Sequence, residues 1–420
     1  MHTAEGDQRV LILFQNSRLL DPEATDLKDG ISVLVEDGRI REVSDRPIRT
    51  GEAQVIDVAG KTLMPGLIDA HIHVYLSEVN IGRMAEMPIS LMAARSGPLM
   101  RAMLDRGFTT VRDTGGADWG IREAVETGQM VGPRLFIAGQ SISQTGGHGD
   151  FRKRTESDAP CSCCSGVGFI SRIADGVPQM LHAVRDELRK GADHIKLMVS
   201  GGVASPHDPL EATQFTREEI LAATGETASW GSYCAAHAYG ADAIRRAVEC
   251  GVRTIEHGNF VDAETAALMR AKGAFLVPTL VAYDAMKRRG KELGLPAVSL
   301  EKNERVLAAG LRSLETAKAA GVPIGYGSDL LGGLQVDQSR EFLIRSEAMS
   351  PIEIIRSATL VNARLLRKES ELGQVKPGYL ADLLVVDGNP LRDLNLFQEQ
   401  GAHLSVIMKG GHFHKNRLAR

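Results

Sequence analysis

Between about residues 65 and 330 the chain alternates short apolar runs with amphipathic stretches, and this alternation limits the fold more than any other feature. Runs suited to strands are Leu67–Val74, Thr109–Asp113, Arg134–Gly139, His194–Val199, Tyr233–His237, Thr254–His257, Phe275–Thr279 and Pro323–Ser328. Helical spacing separates most of them, as in Ile121–Thr127, Val177–Lys190, Arg217–Ser229, Ala241–Cys250 and Ala263–Lys272. Parallel strands need long crossovers, and a helix is the usual one. Eight such repeats in one run predict an α/β fold, a (β/α)8 TIM-like barrel. A doubly wound open sheet is the alternative. It fits less well, because no glycine-rich phosphate loop opens the first strand–helix turn.

Both chain ends read differently. Val10–Phe14 is apolar, and Ile31–Glu36 and Arg39–Val43 alternate around the hairpin pair Asp37-Gly38. Val55–Val58 and Thr62–Met64 follow. Near the other end, Leu383–Val386 is apolar, and Ser405–Lys409 and His412–His414 flank Gly410-Gly411. Two β-rich ends predict a small β-sandwich from residues 1–64 and 368–420, with the barrel, residues 65–367, inserted between them.

Composition narrows the partners. Of 420 residues 43% are hydrophobic and 24% charged, enough apolar material for a barrel core. A formal net charge of −4 argues against a nucleic-acid or membrane partner and leaves a small-molecule substrate. No apolar run reaches the length of a membrane span. Met1–Arg9 lacks the pattern of a secretory signal, so a cytoplasmic location is expected, a processed secreted form staying open. Of five cysteines, Cys161, Cys163 and Cys164 cluster, while Cys234 and Cys250 stand alone. No fourth ligand stands at a zinc-site spacing, so reduced thiols are expected.

The chemistry concentrates at strand ends, where barrel active sites are built. The first strand ends in Asp69-Ala70-His71-Ile72-His73. Residues two apart share a strand face, roughly 6.5–7 Å apart, so both imidazoles can converge on one cation. Lys196 interrupts the apolar strand His194–Val199. A buried ammonium is costly unless it is paired. Either a carboxylate pairs it, or CO2 converts it to a carbamate able to bridge two cations. His237 and His257 end the next two strands, and Asp329 follows Gly325-Tyr326-Gly327-Ser328. As a ligand, Asp329 could also shuttle a proton; as a structural residue it would cap a turn. Together the six residues imply two divalent metal ions. His71, His73 and Asp329 would hold one, His237 and His257 the other, with N6-carboxylated Lys196 between. Zinc is expected, although manganese and cobalt suit the same donors.

In these residues the chain resembles the amidohydrolase superfamily. Pro65-Gly66-Leu67-Ile68-Asp69-x-His71-x-His73, then Lys196, His237, His257 and Asp329, match its binuclear, carboxylated-lysine subtype in order. Gly373-x-Val375-x-x-Gly378-x-x-Ala381-Asp382 resembles the segment returning to the sandwich. Three further segments, Ser143–Asp150, Ser200–Pro206 and Ile255–Asn259, resemble the imidazolonepropionase-like branch. That branch contains zinc Xaa-Pro dipeptidases and ochratoxin-hydrolysing, carboxypeptidase-like amidohydrolases. The chain departs from the superfamily's deaminases. These carry a glutamate three residues after the fifth-strand histidine, and here that position is Gly240.

The resemblance implies cleavage of the amide before a C-terminal amino acid by metal-activated hydroxide. The substrate would be an Xaa-Pro dipeptide or an N-acyl aromatic amino acid such as ochratoxin A. Asp329 would carry the proton, and no serine or cysteine nucleophile is needed. His148, in a glycine-rich loop, is assigned to catalysis and to carbonyl or carboxylate binding. Tyr239 and Ser205 are assigned to substrate binding. Trp119 and Tyr283 are candidate pocket walls. His194, His207, His412 and His414 read as surface or packing residues. Relatives are often homo-oligomers, which sets the same expectation. Cyclic-amide hydrolysis, as in imidazolonepropionase or hydantoinase, is the competing reading. A non-catalytic scaffold is remote, since all six ligand positions are filled.

Overall fold

The computed structural model describes residues 10–84, 87–152, 170–205 and 208–418. Cys161, Cys163, Cys164 and His207 lie outside the described residues. The N-terminal region forms β1 (Leu11–Leu20), β2 (Leu27–Glu36), β3 (Arg39–Ser44), β4 (Gln54–Asp57) and β5 (Thr62–Pro65). The middle carries β6 (Leu67–Ile72), β7 (Phe108–Asp113), β8 (Arg134–Ile137), β9 (Ser141–Ser143), β10 (Ser171–Ile173), β11 (Ile195–Met198), β12 (Cys234–Gly240), β13 (Thr254–Phe260) and β14 (Phe275–Val277). The C-terminal region returns as β15 (Leu383–Val386), β16 (Leu404–Lys409) and β17 (His412–Asn416). Among the described residues no helix is long and apolar enough to cross a membrane.

The chain divides into two compact units. One comprises Met1–Ile68, Leu104–Thr109 and Ser350–Arg420. Its strands form one eight-stranded sheet, ordered β17-β16-β15-β5-β1-β2-β3, with β4 on β1. Both chain ends therefore contribute strands to a single hydrogen-bonded sheet. The ends join because β5 pairs with β1 and with β15. Two tight turns set its registers. Asp37 and Gly38 both take positive φ (47° and 82°) between the paired Glu36 and Arg39. Gly410 and Gly411 do the same (55° and 80°) between Lys409 and His412. Two left-handed residues in a two-residue loop match the twist of the strands they join. Phe14, Val33, Leu63, Val385 and Val406 meet in this unit's core.

The other unit comprises Asp69–Met103 and Thr110–Met349. It is mixed α/β. β6, β7 and β8 form one sheet, and β10-β9-β11-β12-β13-β14 form a second whose pairs are all parallel. Hydrogen bonds run on beyond the paired strands. Asp193 N–H donates to Ile137 O (2.7 Å), and Ala70 N–H to Tyr326 O (2.8 Å). Pro323–Ser328, expected as a strand, makes one isolated bridge, Leu276 to Ile324. Its two glycines pack poorly as a strand. Gly327 is nevertheless required, since a Cβ there would stand 2.3 Å from Val277 Cγ1 and 2.9 Å from His71 Cβ.

Arg217–Ser229 and Ala263–Lys272 are helices with the expected bounds. Thr216 and Glu219 form a reciprocal capping box on the first. Asp262 caps the second and left-handed Gly273 ends it. Ala297–Ala319 is a 23-residue helix that apolar periodicity does not reveal. Its buried side includes Ser299, Asn303, Gly310 and Ser313, so small and polar groups interrupt the 3.6-residue apolar period.

Replacing Phe14, fully buried, by Ala is expected to cost about 3–5 kcal/mol and lower the melting temperature in a calorimetric scan. Cys234 is buried and unbridged, and burial pushes its thiol up to about 12. Folded protein at pH 8 should leave Cys234 unalkylated by iodoacetamide, as peptide mapping would show, whereas denatured protein should not.

Candidate metal centre

Parallel strands deliver their side chains to one end of the second unit. His71 ends the core of β6, His73 follows it, Lys196 lies in β11, His237 in β12 and His257 in β13. All five line one cavity with Asp329. Asp329 Oδ1 is 3.3 Å from His71 Nε2 and 3.2 Å from His73 Nε2. His71, His257 and Asp329 bring ligand atoms within 4.8 Å of one another. The His257 ring lies 5.1 Å from that of His71 and 4.6 Å from that of His237.

Each imidazole has one nitrogen already engaged. His71 Nδ1 meets Glu256 Oε2 at 2.8 Å, and His73 Nδ1 meets Gly115 O at 2.8 Å. His257 Nδ1 meets Thr279 Oγ1 at 2.8 Å, and His237 Nε2 meets Gly201 O at 3.1 Å. The carboxylate and the two carbonyls require an N–H there, the Thr279 hydroxyl can donate or accept, and one nitrogen of each ring is left for the cavity. Such outer partners are what cation-binding histidines require. Burial, followed by neighbouring His148 and His257, holds His237 well below the usual histidine range, so its ring is neutral. Burial lowers His257 in the same way, and only a neutral imidazole can ligate. Asp329 behaves oppositely. Burial resists its charge, but His71, His73 and His257 hold its carboxyl well below the usual range.

Lys196 is buried and makes no hydrogen bond or ion pair among the described residues. Burial pushes its amine down to about 8. The donor set therefore fits divalent cations: His237 and His257 held neutral by burial, an ionised carboxylate facing His71 and His73, and a buried amine whose charge burial disfavours.

Local backbone strain helps to aim these groups. Adjacent residues on a strand normally face opposite ways. Glu256 and His257 both reach the surroundings of His71. His257 takes φ 75°, and the β12–β13 register slips between Ala238–His257 and Gly240–Phe260. Asp329 also has positive φ, 50°. Left-handed conformations at non-glycine residues cost on the order of 1–3 kcal/mol and gather at functional sites.

Several supporting residues escaped the sequence reading. Arg112 and Glu256 are fully buried and paired at 2.7 Å. Burial opposes the charge on Glu256, but Arg112 and then His71 hold its carboxyl well below the usual range. Asp69 accepts hydrogen bonds from His71 N–H, Ser328 Oγ and Gln338 Nε2, at 3.0, 2.6 and 2.9 Å. It thereby joins β6 to the segment ending in Asp329, although burial pushes its carboxyl up to about 6. Asp113 gathers the N–H groups of Val74, Gly115 and Ala117. The signal was present: charged residues inside an apolar strand, the criterion that picked out Lys196, also mark Arg112 and Asp113.

The remaining candidates divide. His148 lines the cavity, stacks on His237 (4.2 Å, 15° between planes) and sets Nδ1 3.4 Å from Asp208 Oδ2. Tyr239 lines it too, stacked on His257, with its hydroxyl 3.0 Å from that of Tyr283, another wall. Ser205 is buried but is not a wall; its hydroxyl turns to Asp208. Trp119 is 60% exposed at the start of its helix, beside Gln140 and Lys190 and away from the histidines. His194 is packed on Tyr233, His412 is exposed, and His414 pairs with Asp105 at 2.7 Å.

Buried histidines sharing an aspartate at the ends of parallel strands place the chain among hydrolases built to hold divalent cations. The chain belongs to the amidohydrolase family, whose model matches residues 62–411. It is 32% identical to ochratoxinase of Aspergillus niger over 367 residues, 84% of this chain and 75% of the relative. A crystal structure of an amidohydrolase is 52% identical, covering 97% of this chain and 100% of that one, with a TM-score of 0.95. A prolidase complexed with N-methylphosphonate-L-proline is 49% identical over the same shares, also at 0.95. The chain is accordingly a hydrolase acting on C–N bonds, from a family that typically uses metal ions.

Glu256→Gln keeps the shape of the side chain but removes the charge behind His71. It should raise the free divalent cation needed for half-saturation roughly 10–100-fold, measured by metal titration of chelator-treated protein.

Proposed function

We propose that this chain is a binuclear amidohydrolase that cleaves the amide bond before a C-terminal amino acid. The two parallel sheets are, in this reading, arcs of one (β/α)8 barrel. The observation that carries the proposal is Lys196, buried beside four histidines and Asp329 with no hydrogen bond or ion pair among the described residues. A bare ammonium there is costly. Its neutral form, favoured by burial, is the form that adds CO2 to become a carbamate. His71, His73 and Asp329 would hold one cation, His237 and His257 the other, and the carbamate of Lys196 would touch both.

Cations held by these residues would lower the pKa of bound water and polarise the carbonyl. The residues do the rest. Asp329, held ionised, accepts a proton from water and returns it to the departing amine. His148 orients the scissile carbonyl or the substrate carboxylate, while Tyr239 fixes the substrate's polar end. Val79, Val203, Met286 and Leu334 line the cavity and favour an apolar substrate side chain. The ochratoxinase and prolidase relatives support an N-acyl amino acid or an Xaa-Pro dipeptide as substrate.

Purified protein should carry about two divalent ions per chain and hydrolyse Xaa-Pro dipeptides or N-acyl-phenylalanines faster than cyclic ureides. Lys196→Ala should lose bound metal and at least about 10³-fold in kcat. Elemental analysis beside the three substrate assays tests this. A Lys196→Ala protein with full metal content and rate would defeat the bridging role, and a preference for cyclic ureides would defeat the substrate class.

A further inference from the structure

Lys302 stands outside the proposed metal ligands, on the helix Ala297–Ala319. Its Nζ donates to the backbone carbonyls of Gly202 (3.0 Å), Ser205 (2.8 Å) and Asp208 (2.5 Å). An ammonium has three N–H donors, so these three carbonyls saturate it. Charge-assisted bonds of this kind are about twice as strong as neutral ones. All three acceptors belong to one loop after β11.

That loop serves the cavity in two ways. Val203 and Ala204 form part of its wall. Asp208 Oδ2 faces His148 Nδ1 at 3.4 Å and accepts the N–H of Gly202 at 3.1 Å. Gly202 must stay close, because a Cβ on it would lie 2.2–2.5 Å from the His148 ring atoms. Val306, one helical turn beyond Lys302, packs in one cluster with Val203, Tyr239 and Tyr283. Asn303 holds Tyr283 O at 3.0 Å. The start of the loop is anchored independently. Gly201 N–H reaches Ala212 O at 3.0 Å, and Ser200 Oγ reaches Gly201 O at 2.8 Å. The carbonyl that meets His237 therefore does not depend on Lys302.

We propose that Lys302 is a positioning residue for substrate binding: it gathers three loop carbonyls and thereby holds the Val203–Ala204 wall and the Asp208–His148 contact in register. The inference rests on the amide-hydrolase reading. It separates substrate affinity, which Lys302 controls, from metal retention, which it does not.

The test uses the metal-loaded full chain, with Lys302→Met (similar length, no donors) and Lys302→Gln (one amide donor group). Kinetics with an Xaa-Pro dipeptide and an N-acyl-phenylalanine are measured beside metal content and backbone hydrogen exchange over residues 200–205. Both variants should bind wild-type amounts of metal and raise KM roughly 10-fold, with kcat changed less than about 3-fold. Exchange in the loop should speed up roughly 10-fold. An unchanged KM, or a loss of metal that tracks the loss of activity, overturns the proposal. Should Lys302→Met not fold, Lys302→Gln decides it alone. A wild-type protein inactive on both substrates defeats the amide-hydrolase reading instead, and the exchange comparison still decides whether Lys302 holds the loop.

Discussion

Arg112 and Glu256 are both inaccessible to solvent, and the ion pair between them underlies the whole candidate centre. Arg112 also binds Ala70 O at 2.6 Å and Thr254 Oγ1 at 3.1 Å, so it ties β6, β7 and β13 together through one guanidinium. Glu256 gives one oxygen to Arg112 and the other to His71. A buried pair like this adds little net stability over an apolar substitute, but breaking it by removing one partner costs several kcal/mol. Its return is directional: the charge on Glu256 keeps the proton of His71 on Nδ1 and turns Nε2 towards Asp329. The interior ion pair is thus a tautomer-setting device as well as a packing element.

The same arrangement recurs around the cavity with different materials. Gly115 O and Gly201 O accept from His73 and His237 as Glu256 does from His71, while the Thr279 hydroxyl meets His257 Nδ1 as donor or acceptor. Only one of the four partners is a carboxylate, which limits the negative charge behind the histidines. Asp329 then brings the ionised oxygens that face the cavity. Thr279 itself takes a left-handed conformation, φ 49°, as do His257 and Asp329. Three left-handed non-glycine residues thus stand among or directly behind the candidate ligands, one of them where the β12–β13 register slips.

Close approach is the other recurring device. Gly202 lies against His148 and Gly327 against His71, each at a distance that excludes a side chain. A cluster of imidazoles at ring separations of 4.2–5.4 Å leaves no space for ordinary loop residues around it. Glycines beside the histidines therefore reflect volume, and the sequence shows them as Ser-Gly-Gly and Tyr-Gly-Ser runs next to the ligand positions.

Strand positions, the ligand candidates and the β-rich ends were legible in the sequence, because apolar periodicity and chemically distinctive residues are local properties. His71, His73, Lys196, His237, His257 and Asp329 could be proposed together since each closes or interrupts an apolar run. Arg112, Glu256 and Asp69 could not be assigned partners, because those partners lie up to 269 residues away in the chain. The helix Ala297–Ala319 was hidden because Ser299, Asn303, Gly310 and Ser313 interrupt the apolar residues Val306, Leu314 and Ala317 on its buried side. Only the tertiary structure decided that the chain ends share one sheet, that Trp119 faces outward, that Ser205 turns from the cavity, and that Lys302 reaches the loop after β11. Sequence specifies which groups can do chemistry; the packing of distant segments decides which nitrogen faces the cavity and which stays bonded behind it.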